Sequence, residues 1–352
     1  MRILHVNFSF TNGGIDNMMI DIMKQQKLKG CDVYLLIINN NVSSEMRKAI
    51  PSNIKTFFIN RPPASKNIIY PIRIYWIINH YIHPDVIHCH NSAIGKLLRF
   101  DKHPKLLTVH AMKYPTQNYK YFDWVVSISH AVQEDVCKTF HTKNISTIYN
   151  GVDFSQIEIK NQITSNNKIF HIAVISRLVH ETKGQDLLIY AINDIKSKTN
   201  KKIILDIIGE GKSKQYLTNL TTELKLSEHI NFLGEKKRTW IYENLKNYDL
   251  LVQPSRDEGF GLTIIEGFAA KVPVLASDID APQEILLNGK YGYIFKSNDV
   301  KSLSEVLLYI VQLPDPIKIE KSQIDYQYMK NKFSIETTVN NYIHLYKSII
   351  NK

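Results

Sequence analysis

The chain has 352 residues, 44% of them hydrophobic and 22% charged, with 44 Lys and Arg against 33 Asp and Glu for a net charge of +11. This composition excludes disordered and collagen-like chains, and the length suits two domains of ~100–200 residues with ample material for two cores. The charge is uneven: residues 1–150 hold 18 basic and 9 acidic residues (net +9), and the rest hold 26 and 24 (net +2).

Ile3–Val6 reads as a buried strand that runs to Asn12-Gly13-Gly14. An amphipathic helix with Met18, Met19, Ile22 and Met23 on one face follows. Further short apolar strands are expected at Val33–Ile38, Thr56–Ile59, Val86–His88, Leu106–Val109 and Trp124–Ile128. Ile68–Ile82 is the most apolar stretch, but Pro71, Arg73, Asn79 and His80 interrupt it, and it falls short of the ~18–20 residues of a membrane span. Its aromatic rings and the nearby Lys66 fit contact with a bilayer surface or a lipid-linked acceptor; a buried crossover helix fits equally.

The pattern then repeats. Ile172–Ile175, Ile203–Ile208, Ile230–Phe232, Leu250–Val252 and Val274–Ala276 are strand-like, with helices at Gln185–Ile195 and Thr263–Ala270. Strands separated by helices imply right-handed crossovers and parallel sheets, hence an α/β protein of two doubly wound halves. The seam is expected within Asn150–Asn167, which starts with a turn signal and ends in a polar run. Ser334–Ile350 reads as a terminal helix, capped by Ser334, whose apolar face needs a docking surface.

No signal peptide is expected, since MRILHVNFSF lacks a long apolar region and a cleavage site. Cys31, Cys89 and Cys137 lie far apart and fit neither a disulfide framework nor a clustered metal site, so a reducing cytoplasm is expected. Gly211-Lys212-Ser213 imitates the end of a P-loop, but Asp206 stands where its first glycine belongs. No G-x-G-x-x-G follows the first strand, which argues against a nicotinamide dehydrogenase. His88-x-His90 offers two ligands on one strand face without an evident third. No DNA-binding module is recognisable, so nucleic acid is not expected as a partner.

The most informative segment is Pro254-Ser255-Arg256-Asp257-Glu258-Gly259-Phe260-Gly261-Leu262-Thr263-Ile264-Ile265-Glu266. A strand ends, a loop with two glycines follows, and a helix starts near Leu262. Backbone N–H groups at a helix start beyond a strand's carboxyl end suit a phosphate. Glu258 on the loop and Glu266 one turn into the helix could reach hydroxyls on either side of it. That pattern points to a sugar nucleotide; a helix cap with solvated acids has the same spacing.

The full string resembles the paired-glutamate motif of the retaining family-four glycosyltransferases, which have the GT-B fold. The resemblance implies that Glu258 contacts hydroxyls of the transferred sugar, that Glu266 binds the nucleotide ribose, and that the backbone of Gly261, Leu262 and Thr263, beside Phe260, holds the diphosphate. Ser176-Arg177-Leu178 and Lys183-Gly184 resemble the diphosphate-binding Arg and Lys, although Lys183 stands one position later than is common. Ile208-Gly209-Glu210-Gly211 resembles the glycine loop after the next strand, and Phe232-Leu233-Gly234 the turn near the base. In the first half, Asn12-Gly13-Gly14 resembles the double-glycine loop, Thr108-Val109-His110 the strand-end histidine near the transferred sugar, and Tyr149–Asp153 the interdomain segment. Lys271, Asp280 and Ala281 stand where the family often has glycine, and leave the donor sugar open.

The resemblance implies a GT-B enzyme with two Rossmann-like domains facing a cleft: residues 1–155 binding the acceptor, 156–330 binding the nucleotide sugar, and a helix in 331–352 crossing back to the N-terminal domain. It implies retaining transfer of a hexose or N-acetylhexosamine, UDP-linked, to a lipid-linked or lipopolysaccharide glycan. Glu258, His110, Arg177 and Lys183 would act in catalysis, and Gly13, Gly14, Arg177, Lys183, Gly209, Phe260–Thr263 and Glu266 in donor binding. No metal or other cofactor is expected. The +9 charge on the acceptor half points to a peripheral contact with an anionic membrane. A GT-B nucleotide-sugar epimerase and a non-catalytic binder of anionic lipid or nucleic acid are the alternatives.

Overall fold

The computed structural model describes residues 1–11, 13–160 and 168–351. Asn12 of the glycine loop and residues 161–167 of the expected seam lie outside the described residues. The chain divides into two compact units, Met1–Gly151 with Ile335–Lys352, and Val152–Ser334.

The first unit is built on seven parallel strands: β1 (Arg2–Asn7), β2 (Asp32–Asn39), β3 (Lys55–Arg61), β4 (Val86–Cys89), β5 (Lys105–Val109), β6 (Trp124–Ser127) and β7 (Ile145–Thr147). Their order is β3-β2-β1-β4-β5-β6-β7. Helices cover both faces of such a sheet, so β2 is a continuous buried run from Val33 to Ile38 rather than an alternating one. The helix Gly14–Leu28 buries Met19, Ile22 and Met23 in one cluster with Val339, Tyr342 and Tyr346 of the terminal helix Ile335–Ile350. That cluster is the docking surface the terminal apolar face requires.

The second unit holds six parallel strands: β8 (Ile169–Ile175), β9 (Lys202–Ile208), β10 (Ile230–Gly234), β11 (Leu250–Gln253), β12 (Val274–Ser277) and β13 (Tyr293–Phe295). Their order is β10-β9-β8-β11-β12-β13. The helix Gln185–Ile195 packs Leu188, Ile189, Ile192 and Ile195 into its core. In each sheet the strand order reverses once, between β1 and β4 and between β8 and β11. Crevices at the carboxyl ends of such strand pairs are where doubly wound sheets bind ligands.

The stretch Ile68–Ile82 is helical and buried on one side only. The helix Ile69–Trp76 runs into a π-helical segment, Ile77–Ile82. Ile74, Ile77, Ile78 and Ile82 are buried, whereas Ile68, Ile69, Ile72, Trp76 and Tyr81 are exposed. Among the described residues, no helix is long and apolar enough to cross a membrane.

Candidate functional site

At the carboxyl end of β8, Arg177 is exposed beside the loop that follows β9. This loop can lie there only because Gly209 has no side chain: a Cβ at Gly209 would stand 2.0 Å from the Ser176 carbonyl oxygen. The Leu178 N–H donates to the Glu210 carbonyl at 2.9 Å and completes the contact. Gly184 plays the same part against the next loop. It sits at φ +65°, and a Cβ there would meet the Pro254 carbonyl oxygen at 1.9 Å. Lys183 is thereby brought to Glu258.

The Lys183 Nζ donates to Glu258 Oε2 at 2.7 Å, with the two side chains 17% and 18% exposed. Gln253 Nε2, at the end of β11, donates to the same oxygen at 2.7 Å. Gln253 Oε1 accepts from Thr263 Oγ1 at 2.8 Å, in the first turn of the helix Leu262–Ala269. Lysine, glutamate, glutamine and threonine form one contiguous polar chain from β8's loop to the helix start. Gly261 precedes that helix at φ +104°, a conformation that disfavours residues with a Cβ. The first N–H groups of the helix carry the partial positive charge that attracts anions.

Glu266 lies one turn into the helix, where its Oε1 accepts from Tyr242 Oη at 3.4 Å; Tyr242 Oη in turn accepts from Arg238 Nε at 2.6 Å. Phe260 is buried and meets Phe333 edge-on with centroids 6.0 Å apart. Arg256 was only a variable position in the motif, yet it anchors the loop. Its guanidinium forks onto Asp186 (Nη1–Oδ1 2.8 Å, Nη2–Oδ2 2.9 Å) and also donates to the His180 carbonyl at 2.6 Å. Asp186 holds Arg256 fully charged, raising its pKa above the ordinary value. Gln253, Arg256 and Asp186 are contributions that no motif spacing announces.

The first unit assembles a second set of groups. After β1, the Asp16 carboxylate accepts from the backbone N–H groups of Thr11 and Gly13, at 2.7 and 3.4 Å, and from Asn7 Nδ2 at 3.3 Å. Burial raises the Asp16 pKa. A Cβ at Gly14 would meet nothing within 4 Å, so packing within the chain does not demand glycine there. His110 follows β5, and its Nε2 lies 3.2 Å from His90 Nδ1. The third histidine absent from the His88-x-His90 pattern comes from β1, whose parallel register sets His5 beside His88. The His5, His88 and His90 ring nitrogens approach within 4.8 Å of one another, but all six are engaged in hydrogen bonds. Burial pushes all four histidine pKa values down, those of His5 and His110 to about 4.

The expected donor residues Arg177, Lys183, Gly209, Glu258, Phe260–Thr263 and Glu266 thus gather at the switch point of the second sheet. Gly13, Gly14 and His110 belong to strand ends of the first. Residues 12–156 match the family model described as Glycosyltransferase Family 4, and residues 155–329 match that of Glycosyl transferases group 1. The chain belongs to the family-four glycosyltransferases.

As a family-four glycosyltransferase it is similar to an uncharacterized glycosyltransferase of Methanocaldococcus jannaschii, with 27% identity over 323 residues and 85% of both chains covered. It is also 27% identical, over 237 residues, to the poly(ribitol-phosphate) alpha-N-acetylglucosaminyltransferase of Staphylococcus aureus; the match spans 67% of this chain and 46% of that relative. Among solved structures, Anabaena HepE in complex with UDP and glucose superposes with a TM-score of 0.81 at 18% identity, covering 99% of this chain and 100% of that one. The fold of this glycosyltransferase is accordingly GT-B, with two parallel-sheet Rossmann-like domains.

Proposed function

We propose that this glycosyltransferase moves a hexose or N-acetylhexosamine, with retention of configuration, from a UDP-sugar to a lipid-linked or lipopolysaccharide glycan. The observation that carries the reading is the chain Lys183–Glu258–Gln253–Thr263 set against the start of the helix Leu262–Ala269. A cation, a carboxylate and the first N–H groups of a helix are the three features by which a sugar diphosphate would be held, and their juxtaposition supports the reading. UDP is favoured as the leaving nucleotide because HepE binds UDP and glucose. A polymeric acceptor is favoured because the staphylococcal relative is named for poly(ribitol-phosphate), a polyol-phosphate polymer.

In this reading Arg177, Lys183 and the N–H groups of Gly261–Thr263 stabilise the departing diphosphate by preorganised positive potential, with no metal required. Glu258 orients the sugar, Glu266 holds the ribose, and His110 accepts a hydrogen bond from the sugar. Retention follows from a same-face substitution in which the leaving phosphate assists the incoming hydroxyl. The exposed Ile68, Ile69, Ile72 and Trp76, beside exposed Lys66 and Arg73, support peripheral contact with an anionic membrane.

Incubation with a panel of nucleotide sugars, with and without glycolipid acceptors, tests the reading. UDP release that depends on the acceptor is the expected result. Conversion of the sugar nucleotide without transfer would mark an epimerase, and no turnover with any donor would mark a binding protein.

A further inference from the structure

Gln26, on the helix Gly14–Leu28, is fully buried between two histidine systems. Its Oε1 lies 2.8 Å from His5 Nε2, and its Nε2 donates to Tyr346 Oη at 3.3 Å. An amide oxygen only accepts, so His5 Nε2 carries the proton. Burial keeps the His5 ring neutral, which leaves its Nδ1 an acceptor. His90 Nε2, 3.1 Å away, must therefore donate to it, and His90 Nδ1 becomes an acceptor in turn. His110 Nε2 then donates to His90 Nδ1 across 3.2 Å. The last atom of the relay is His110 Nδ1, which is buried and has no hydrogen-bond partner among the described residues. His110 lies in the wall of a pocket with Ile15, Asn91, Ser92 and Tyr114.

The other arm runs with the same polarity. Tyr346 Oη accepts from Gln26 and is left to donate to His88 Nδ1 at 2.7 Å. His88 Nε2–H then donates to Thr108 Oγ1 at 2.7 Å. Reversing the amide of Gln26 would reverse every bond on the way to His110 and put a proton on His110 Nδ1.

We infer that Gln26 is a positioning residue: through His5 and His90 it locks His110 in the Nε2–H tautomer, so that its Nδ1 is kept as a bare acceptor beside the pocket of Ile15 and Tyr114. Glutamine suits this task because it cannot ionise at any working pH. Neither Gln26 nor His5 approaches the substrate; they act on the tautomer alone. The inference rests on the proposed role of His110 at the sugar.

The test is nitrogen NMR of the full chain labelled with 15N-histidine at pH 7.5, with His110→Gln used to assign the signal. Expected are protonated Nε2 and bare Nδ1 for His5, His90 and His110; a protonated Nδ1 on His110 would overturn the inference. Gln26→Leu should mix the tautomers of His110 and lower kcat roughly tenfold, the loss of about one hydrogen bond, with a smaller change in donor KM. Gln26→Glu keeps an acceptor toward His5 and should keep both the tautomer and most of kcat. Unchanged turnover in Gln26→Leu with the tautomer scrambled would overturn the positioning role. If His110→Ala alone retains full turnover, the reading of His110 at the sugar fails instead, whatever the tautomer.

Discussion

The ammonium of Lys183 and the carboxylate of Glu258 are hydrogen-bonded to each other at 2.7 Å. The two groups assigned to opposite ends of a sugar diphosphate are thus neighbours, joined through Gly184's close approach to Pro254. In the proposed site a donor would lie against this pair and share both charges. Lys183→Ala and Glu258→Gln are each expected to cut kcat/KM by about a hundredfold, the scale of one lost electrostatic contact in an active site. The double variant should lose less than the product of the two, because neighbouring groups couple. A double-mutant cycle on initial rates checks this, and strict additivity would argue that they act separately.

Arg256 holds the same loop from its other side. Its fork onto Asp186 is mostly buried, with side chains 23% and 10% exposed, so removing one partner leaves the other charged and poorly solvated. Arg256→Ala should destabilise the protein by about 2 kcal/mol and raise the donor KM. Arg256→Lys should recover little, since an ammonium cannot reproduce the paired geometry. Urea denaturation alongside donor titration measures both effects.

Lys271 follows the helix Leu262–Ala269 at φ +56°, in the left-handed region that glycine tolerates best. Lys271→Gly is expected to raise stability by about 1 kcal/mol through relief of that strain. The contact of its Nζ with the Tyr326 ring, 5.1 Å from the centroid, offsets part of the gain. Thermal unfolding of the two proteins decides the sign. A lower melting temperature in Lys271→Gly would mean that the ring contact outweighs the backbone strain.

Burial lowers the pKa values of His5, His88, His90 and His110, with His5 and His110 at about 4, whereas unfolded histidine titrates near ~6.5. Between those limits the unfolded chain binds protons that the folded chain refuses. Stability is therefore complete above pH ~6.5 and declines as pH falls toward ~4, by up to about 1.4 kcal/mol per pH unit for each histidine. The urea midpoint should be lower at pH 5 than at pH 7.5, and His90→Gln should narrow the gap. An unchanged gap in that variant would show that other groups control it.

The sheets were legible because buried parallel strands are unbroken apolar runs, as in Val33–Ile38 and Ile172–Ile175. The edge strands β7 and β13 have only three residues each, too few for a pattern, and the helix Asp315–Phe333 is mostly polar with no clear apolar face. The loop proposed to hold the donor phosphates was legible because its residues are consecutive. His5, Gln26 and Tyr346 were not, because register and helix packing bring them together across as many as 320 positions. Arg256 stood in plain view within the motif, but only the fold reveals its partner, Asp186. The departure at Asp280 and Ala281 resolves into local structure: they are the first residues of the helix Asp280–Leu286.

Turnover of a UDP-sugar by the wild type, Glu258→Ala and Arg177→Ala, read as UDP released in the presence of a glycolipid acceptor, tests the proposed donor site most directly. Loss of activity in both variants, with folding intact, is the predicted result. Full activity in both would contradict the assignment of this site.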